Sequence, residues 1–313
     1  MKILVTGAAG FIGSHLTDSL TQAGHQVLAL DALVPELYAK SIKERNWAEL
    51  DLLTPPPSKI FHDLRNSLDP KLLEGVEYVF HLAAIPGLSL SWDNPKLYID
   101  SNLLATSNLM QACSEIGLKK FIYISTSSVY GVSINGDEES NLSPISPYGV
   151  TKLAAEKMVQ AFASAFAMPY TIVRPFSVYG PRQREDMAFN IFIRKILNNQ
   201  VLEIYGDGSQ TRTNTYVEDL VTGLILAMDG AKHGEIYNLS GSEQYSVKKV
   251  VEVLESLLKK EAKIEYVGER LGDQKETITS SEKARQDFGY LPKTKLDEGL
   301  QKQISWQKNL LNL

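Results

Sequence analysis

Lys2-Ile-Leu-Val-Thr6 runs directly into Gly7-Ala-Ala-Gly10-Phe-Ile-Gly13-Ser14. An apolar, β-branched run is followed at once by three glycines, and then by the helical spacing of residues 11–23. A backbone that leaves a strand, turns sharply and opens a helix presents bare N–H groups and a positive dipole end. That is a pyrophosphate-binding arrangement, and the glycines let the chain turn and let a ligand come close. The spacing is Gly-x-x-Gly-x-x-Gly instead of the commoner Gly-x-Gly-x-x-Gly, and alone it is a weak signal. Gly7, Gly10, Phe11, Ile12 and Gly13 are the first candidates for binding a cofactor.

Outward from this stretch, two periods alternate. Short apolar runs at 3–6, 27–31, 78–82, 121–125 and 170–174 are separated by helical spacing at 11–23, 95–117 and 146–165. Strands alternating with helices predict a doubly wound parallel sheet covered on both faces. Residues 32–58, with Pro55-Pro56-Pro57, read as an irregular excursion before a further strand at 59–62. Beyond residue 180 the pattern loosens. Helices are expected at 188–198, 218–228, 247–259 and 296–309, with strands at 201–205, 236–239 and 263–267. The predicted organisation is a dinucleotide-binding unit over 1–180 and a smaller α/β lobe, mainly for substrate, over 181–313, with some exchange of chain between them.

Composition sets the limits. The chain has 313 residues, 43% hydrophobic and 22% charged, as in an ordinary soluble protein. The net charge of −5 supplies no general attraction to nucleic acid or anionic lipid. No apolar run reaches the ~18 residues of a spanning helix. One cysteine, Cys113, excludes an intrachain disulfide and a cysteine-based zinc cluster and fits a reducing compartment. Gly7, Gly10 and Gly13 would break a signal helix, so the expectation is a mature cytoplasmic enzyme from residue 1, without metal.

Asp31 ends the second strand, 18 residues after Gly13. There a carboxylate accepts hydrogen bonds from ribose hydroxyls and repels a 2′-phosphate, which favours NAD over NADP. Alone, Asp31 reads equally as a strand-end turn residue. Asp63, next to Leu64, is placed for an adenine amino group, or equally for a helix N-cap. His81-Leu82-Ala83-Ala84 closes the fourth strand with small residues against which a cofactor can lie, His81 itself reading as a packed strand histidine.

Tyr148-Gly-Val-Thr-Lys152 begins the helix at 146–165. Residues four apart share a helix face, so phenol and ammonium point into one cleft. Free tyrosine has a pKa of ~10, and a lysine cation at ~5 Å with effective ε ~20 is worth roughly 3 kcal/mol, or ~2 pKa units. Tyr148 is therefore expected as a general base tuned toward neutral pH by Lys152.

The glycine loop, Tyr148-x-x-x-Lys152 and Ser125-Thr126-Ser127-Ser128-Val129-Tyr130-Gly131 together resemble the extended short-chain dehydrogenases/reductases, and more narrowly their nucleotide-sugar epimerases and dehydratases. The resemblance runs nearly to the end, through Phe288-Gly-Tyr-Leu-Pro292 and the helix holding Trp306. It implies a Rossmann-type sheet, NAD as cofactor, and Thr126, Tyr148 and Lys152 as the catalytic triad, with Lys152 also on the nicotinamide ribose and Phe176 at the cofactor. It implies proton removal from a sugar 4-hydroxyl by Tyr148 and hydride transfer from C4 to NAD. It further implies a homodimer through the helices at 95–117 and 146–165.

Subfamily features narrow the chemistry. Dehydratases of the family carry Asp-Glu after the threonine, and decarboxylases a Glu at the second position. Here Ser127 and Ser128 stand there, which makes dehydration unlikely and disfavours decarboxylation. Arg174-Pro-Phe-Ser177 and Tyr179-Gly-Pro-Arg-Gln-Arg184 resemble UDP-glucuronate 4-epimerases, and in that resemblance Ser127, Ser128, Ser177 and Arg184 surround the sugar carboxylate. Arg184 can instead pair with Glu185 or Asp186 on a solvated loop. Arg212 matches the family's arginine that binds the diphosphate, and Arg270 its second nucleotide-contacting arginine. Ser89, and Thr213-Asn214, depart from the family pattern. The expected function is interconversion of UDP-glucuronate and UDP-galacturonate. The alternatives are a UDP-glucose/UDP-galactose 4-epimerase, an epimerase of another anionic sugar nucleotide and, less favoured, a decarboxylase or a non-catalytic NAD sensor.

Overall fold

The computed structural model describes residues 1–36, 39–268 and 276–311. Seven parallel strands form the main sheet: β1 (Lys2–Thr6), β2 (Gln26–Asp31), β3 (Ser58–Phe61), β4 (Tyr78–His81), β5 (Lys120–Ile124), β6 (Tyr170–Pro175) and β7 (Ile236–Leu239). Their spatial order is β7-β6-β5-β4-β1-β2-β3, so the chain reverses direction across the sheet between β1 and β4. A crevice outside the carboxyl ends of the strands at such a reversal is where open α/β sheets bind ligands.

Alternate strand residues feed two cores. Ile3, Val5, Val27, Ala29, Phe80 and Ile122 pack on one face with Phe11, Leu16 and Leu20 of the helix Phe11–Gln22. Leu4, Leu28, Leu30, Val79, Phe121 and Tyr123 pack on the other with Leu109 and Met110, and with Ala155 and Val159 of the helix Pro147–Phe166. A sheet buried on both faces needs such continuous apolar runs. The first core continues into the helices Ala188–Leu197, Val247–Leu258 and Leu296–Leu311.

Three features depart from the expectations. The excursion at 32–58 contains a helix, Lys40–Glu49. Its face is polar, so apolar periodicity misses it; the ion pairs Lys40–Glu44 and Arg45–Glu49, each four residues apart, support it instead. The helical stretch from residue 95 ends at Cys113 and contains a π-helical segment, Ile99–Leu104. Finally, Ile236–Leu239 lies beside β6 in the main sheet, and Ser133–Gly136 lies in a small four-stranded sheet with Glu276–Thr279, Thr211–Thr213 and Gln244–Ser246. No helix of the described residues is long and apolar enough to cross a membrane.

Candidate active site

At the reversal point the ends of β1 and β4 are stitched together. His81 Nδ1 meets Thr6 Oγ1 at 2.7 Å, and the Ala83 N–H donates to the same hydroxyl at 3.1 Å. His81 Nε2 meets Thr106 Oγ1 at 2.9 Å. Burial pushes the pKa of His81 down to about 3, so the ring is a neutral packing residue, as expected. Outside these strand ends lies a cavity of about 460 Å³.

One end of the cavity is bare backbone. Gly7 has φ +71°, and a Cβ there would lie 2.8 Å from Ala83 N; a Cβ on Gly13 would lie 2.0 Å from the Gly7 carbonyl oxygen. Gly10 caps the helix, and Phe11 and Ile12 line the cavity beside it. Asp31 fixes this loop, accepting from the Ala9 N–H at 3.0 Å and from the Leu33 N–H at 2.8 Å. Asp63, Leu64, Leu82, Ala83 and Ala84 line the same end. Asp63 caps no helix: it accepts from the Arg65 N–H at 3.0 Å and pairs with the Arg65 side chain at 2.6 Å.

Two contributors here were not anticipated, because the helix Lys40–Glu49 was not. Asn46 Nδ2 donates to the Ala9 carbonyl at 3.0 Å, holding the glycine loop from outside. Lys43 lines the cavity; burial lowers its pKa while Asp31 pulls it back. Arg65 also reaches the cavity wall. The charge pairs at helical spacing in 40–49 were the available signal.

The other end gathers the reactive side chains. Ser146 caps the helix Pro147–Phe166, its Oγ accepting from the Gly149 N–H at 3.1 Å. A Cβ on Gly149 would lie 2.7 Å from the Ser128 carbonyl oxygen, so this glycine lets the helix start press against the Ser127–Val129 turn. Tyr148 thereby comes beside the Thr126 hydroxyl, which draws the phenol's pKa down and itself accepts from the Ser128 N–H at 3.1 Å. Lys152 is almost fully buried, donates to the Ile124 carbonyl at 2.7 Å and sits 4.2 Å from the centre of the Tyr123 ring.

The electrostatics reverse one expectation. Burial holds Tyr148 above the ordinary tyrosine value, opposed by the Thr126 hydrogen bond and the Arg184 charge. Burial also brings Lys152 down to about 7, opposed by Glu156. The simple pair estimate placed both groups in a medium of fixed dielectric and left out the cost of removing each from water. The ammonium is also directed to a carbonyl and a ring face of β5.

Ser127, Ser128, Ser177, Arg184 and Arg212 line the same cavity as Tyr148 and Lys152. Ser177 has φ +31°, a strained value for a residue with a side chain. Its segment is held by the Thr215 N–H to the Ser177 carbonyl, at 3.2 Å. Arg184 both faces the cavity and pairs in two-pronged fashion with Asp186, at 2.9 and 3.0 Å. The side chain of Phe176 stands behind the cavity wall, fully buried and stacked on Tyr130 with 6.2 Å between ring centres. Arg270 lies outside the described residues.

Residues 3–240 match the model of the NAD dependent epimerase/dehydratase family. The chain is 42% identical to an uncharacterised UDP-glucose epimerase of Bacillus subtilis over 99% of both chains. It is 34% identical to a UDP-glucuronate 4-epimerase of Thermodesulfobacterium geofontis, over 99% of this chain and 97% of the other. Its fold superimposes with TM-score 0.95 on the UDP-glucuronic acid 4-epimerase of Bacillus cereus solved with UDP-glucuronic acid and NAD, at 39% identity and covering 99% and 100% of the two chains.

Proposed function

The chain belongs to the NAD dependent epimerase/dehydratase family, and we propose that it is the member that interconverts UDP-glucuronate and UDP-galacturonate. It is an NAD-dependent UDP-sugar 4-epimerase. The observation that carries the uronate reading is the meeting of Arg184, Ser127, Ser128 and Ser177 on the wall that also holds Tyr148.

The residues at the glycine end suit NAD. Gly7 and Gly13 let the loop close up on its own backbone, against Ala83 and the Gly7 carbonyl, so that the start of the helix Phe11–Gln22 can present its N–H groups to a dinucleotide pyrophosphate, with the Asp31 carboxylate for the ribose. Phe11, Ile12, Asp63, Leu64 and Leu82–Ala84 complete this half. When bound, NAD supplies the acceptor and later donor of the hydride at the sugar C4, and a positive ring charge beside Tyr148.

The chain's own groups do the rest. The phenolate of Tyr148 removes the proton of the sugar 4-hydroxyl and later returns it, while Thr126 orients that hydroxyl. When protonated, Lys152 adds a positive charge that works against the burial holding Tyr148 up, alongside the charge of the bound nicotinamide. With serines at 127 and 128, the wall offers no acid–base pair for eliminating water. A 4-keto-glucuronate is a β-keto acid, which loses CO2 when its carboxylate bond aligns with the ketone. Charge-assisted hydrogen bonds from Arg184, with the three serines, hold the carboxylate out of that alignment. Arg212 serves the diphosphate, and Arg270 contacts the nucleotide.

Labour divides with the lobes. Residues 1–180 hold the dinucleotide and reacting groups, and residues 181–313 mainly the sugar nucleotide, with strand exchange between them. A homodimer is supported by exposed Ile99, Leu104, Val150 and Phe166 on the helices of 95–113 and 147–166. Light scattering should give twice the 34.8 kDa of one chain, and a monomer mass would reject it. Cysteine usage supports a cytoplasmic setting. The deciding experiment supplies a panel of UDP-sugars with NAD and identifies products by NMR. UDP-glucuronate should be epimerised in preference to UDP-glucose, and the reverse preference would support the UDP-glucose/UDP-galactose reading.

A further inference from the structure

The end of β5 and one face of the helix Pro147–Phe166 meet residue by residue. The Ile124 carbonyl accepts from Lys152 Nζ at 2.7 Å, Ser125 Oγ donates to Glu156 Oε1 at 2.5 Å, and Thr126 lies beside Tyr148 on the same cavity wall. Residues four apart share a helix face, so Tyr148, Lys152 and Glu156 all turn toward Ile124, the last residue of β5, and the two residues that follow it. The reaction described above uses Tyr148 and Lys152 but leaves Glu156 without a task.

Glu156 and its partner Arg174 are both buried. Arg174 Nε donates to Oε1 at 2.9 Å and Nη2 donates to Oε2 at 2.7 Å. Arg174 Nη1 donates to the Tyr130 hydroxyl at 2.9 Å, which donates to Asn238 Oδ1 on β7 at 2.8 Å. A buried ion pair is a poor source of stability, because desolvation offsets much of the attraction. Its position one helical turn beyond Lys152 suggests another use.

We propose that Glu156 is a positioning residue: its carboxylate, fixed by Arg174 and Ser125, is the buried counter-charge that keeps Lys152 cationic and aimed along β5 beneath Tyr148. The inference rests on the reading of Tyr148 and Lys152 as reacting groups. Around Lys152 stand Tyr148 and Glu156 from its own helix, the Tyr123 ring and Ile124 carbonyl from β5, and neutral His81 from β4. Burial drives the Lys152 proton off, and Glu156 is the charge that opposes it. Around Glu156 stand Arg174 and Ser125, while burial keeps the nearby phenols of Tyr123 and Tyr130 protonated. Without the carboxylate, Lys152 gives up its proton at lower pH.

The test is Glu156→Gln, read in two ways. In protein labelled with 13C-lysine, without cofactor or substrate, the Cε resonance missing from Lys152→Met reports the titration of Lys152. Its midpoint should fall by about one pH unit or more in Glu156→Gln, the size expected for loss of a nearby opposite charge. With NAD and UDP-sugar, the alkaline limb of kcat should move down by a similar amount while KM changes less than about threefold. If Glu156→Gln is insoluble because Arg174 is left unpaired, Glu156→Gln/Arg174→Gln removes the pair together and should shift in the same direction. An unchanged Lys152 midpoint, with kcat lowered evenly at every pH, would assign Glu156 a purely structural role and overturn the proposal. A parent enzyme inert toward every UDP-sugar would refute the functional reading, while the lysine titration would still decide the role of Glu156.

Discussion

The end of the cavity lined by Gly7, Gly13 and Asp31 and the end lined by Ser177, Arg184 and Arg212 are built by different means. The first is backbone held at the tips of parallel strands, with side chains absent where the loop packs on itself, Gly7 against Ala83 and Gly13 against the Gly7 carbonyl. Asp31 sits in the register of β2 and is fixed by two N–H groups. The second is made of side chains on connecting segments. Arg184 takes its direction from Asp186, two residues away. Its segment is tied to the helix Phe11–Gln22 by Arg182, which pairs with Asp18 at 2.7 Å, and by His15 at the Pro181 carbonyl, 2.9 Å. In the proposed reading, the sheet dictates where the dinucleotide goes and loop side chains choose the sugar. Changes at the first end should cost binding and folding together, and changes at the second should alter selectivity.

The largest effect is expected where the two ends meet. Tyr148→Phe should lower kcat by ~10²–10⁴-fold, as for loss of a general base, with NAD affinity by calorimetry unchanged. Near-normal turnover would remove the tyrosine from the chemistry. At the backbone end, Gly13→Ala drives a Cβ into the Gly7 carbonyl at 2.0 Å. Overpacking of this kind costs about 1–3 kcal/mol, so NAD affinity and melting temperature should fall together. A drop in neither would mean that the loop is soft.

At the side-chain end, Arg184→Ala should weaken use of UDP-glucuronate by about 2 kcal/mol, roughly 30-fold in kcat/KM, as for a charged hydrogen bond. Any activity on UDP-glucose should hardly change, and some turnovers of the uronate should release CO2. Equal losses on both sugars would assign Arg184 to the nucleotide or the fold and sink the carboxylate clamp.

A further effect is expected on acid stability, and it involves both ends. Burial lowers His81, beneath the glycine end, to about 3, and His15, at the tether of the other, to about 4. Each binds fewer protons folded than unfolded below its free pKa of ~6.5, so stability present above that pH is lost as pH falls toward 4. Melting curves from pH 7 to 4 should decline less steeply in His15→Gln and His81→Gln. Parallel curves would show that other groups control acid unfolding.

The same contrast governs what could be read in the sequence. Strands β1, β2, β4, β5 and β6 were legible to within a residue at each end, because buried parallel strands are continuous apolar runs. The glycine spacing and Tyr148-x-x-x-Lys152 were legible because each is a local pattern. The helix Lys40–Glu49 was missed because it buries little apolar surface. The place of Ile236–Leu239 in the main sheet could not be read from its four residues, since pairing with β6 is a long-range choice. For the same reason Glu156 and Arg174, 18 positions apart, gave no sign of being partners. The direction of the Tyr148 shift was misjudged, and the fall in Lys152 went unforeseen, because burial is a property of the whole fold.

The most direct test of the account is incubation of the enzyme and NAD with UDP-glucuronate deuterated at C4. Hydrogen that leaves and returns at one carbon, with the carboxylate clamped, predicts UDP-galacturonate retaining the deuterium at C4 and no pentose or CO2. Loss of deuterium to water, accumulation of a pentose, or an unchanged uronate alongside conversion of UDP-glucose would contradict it.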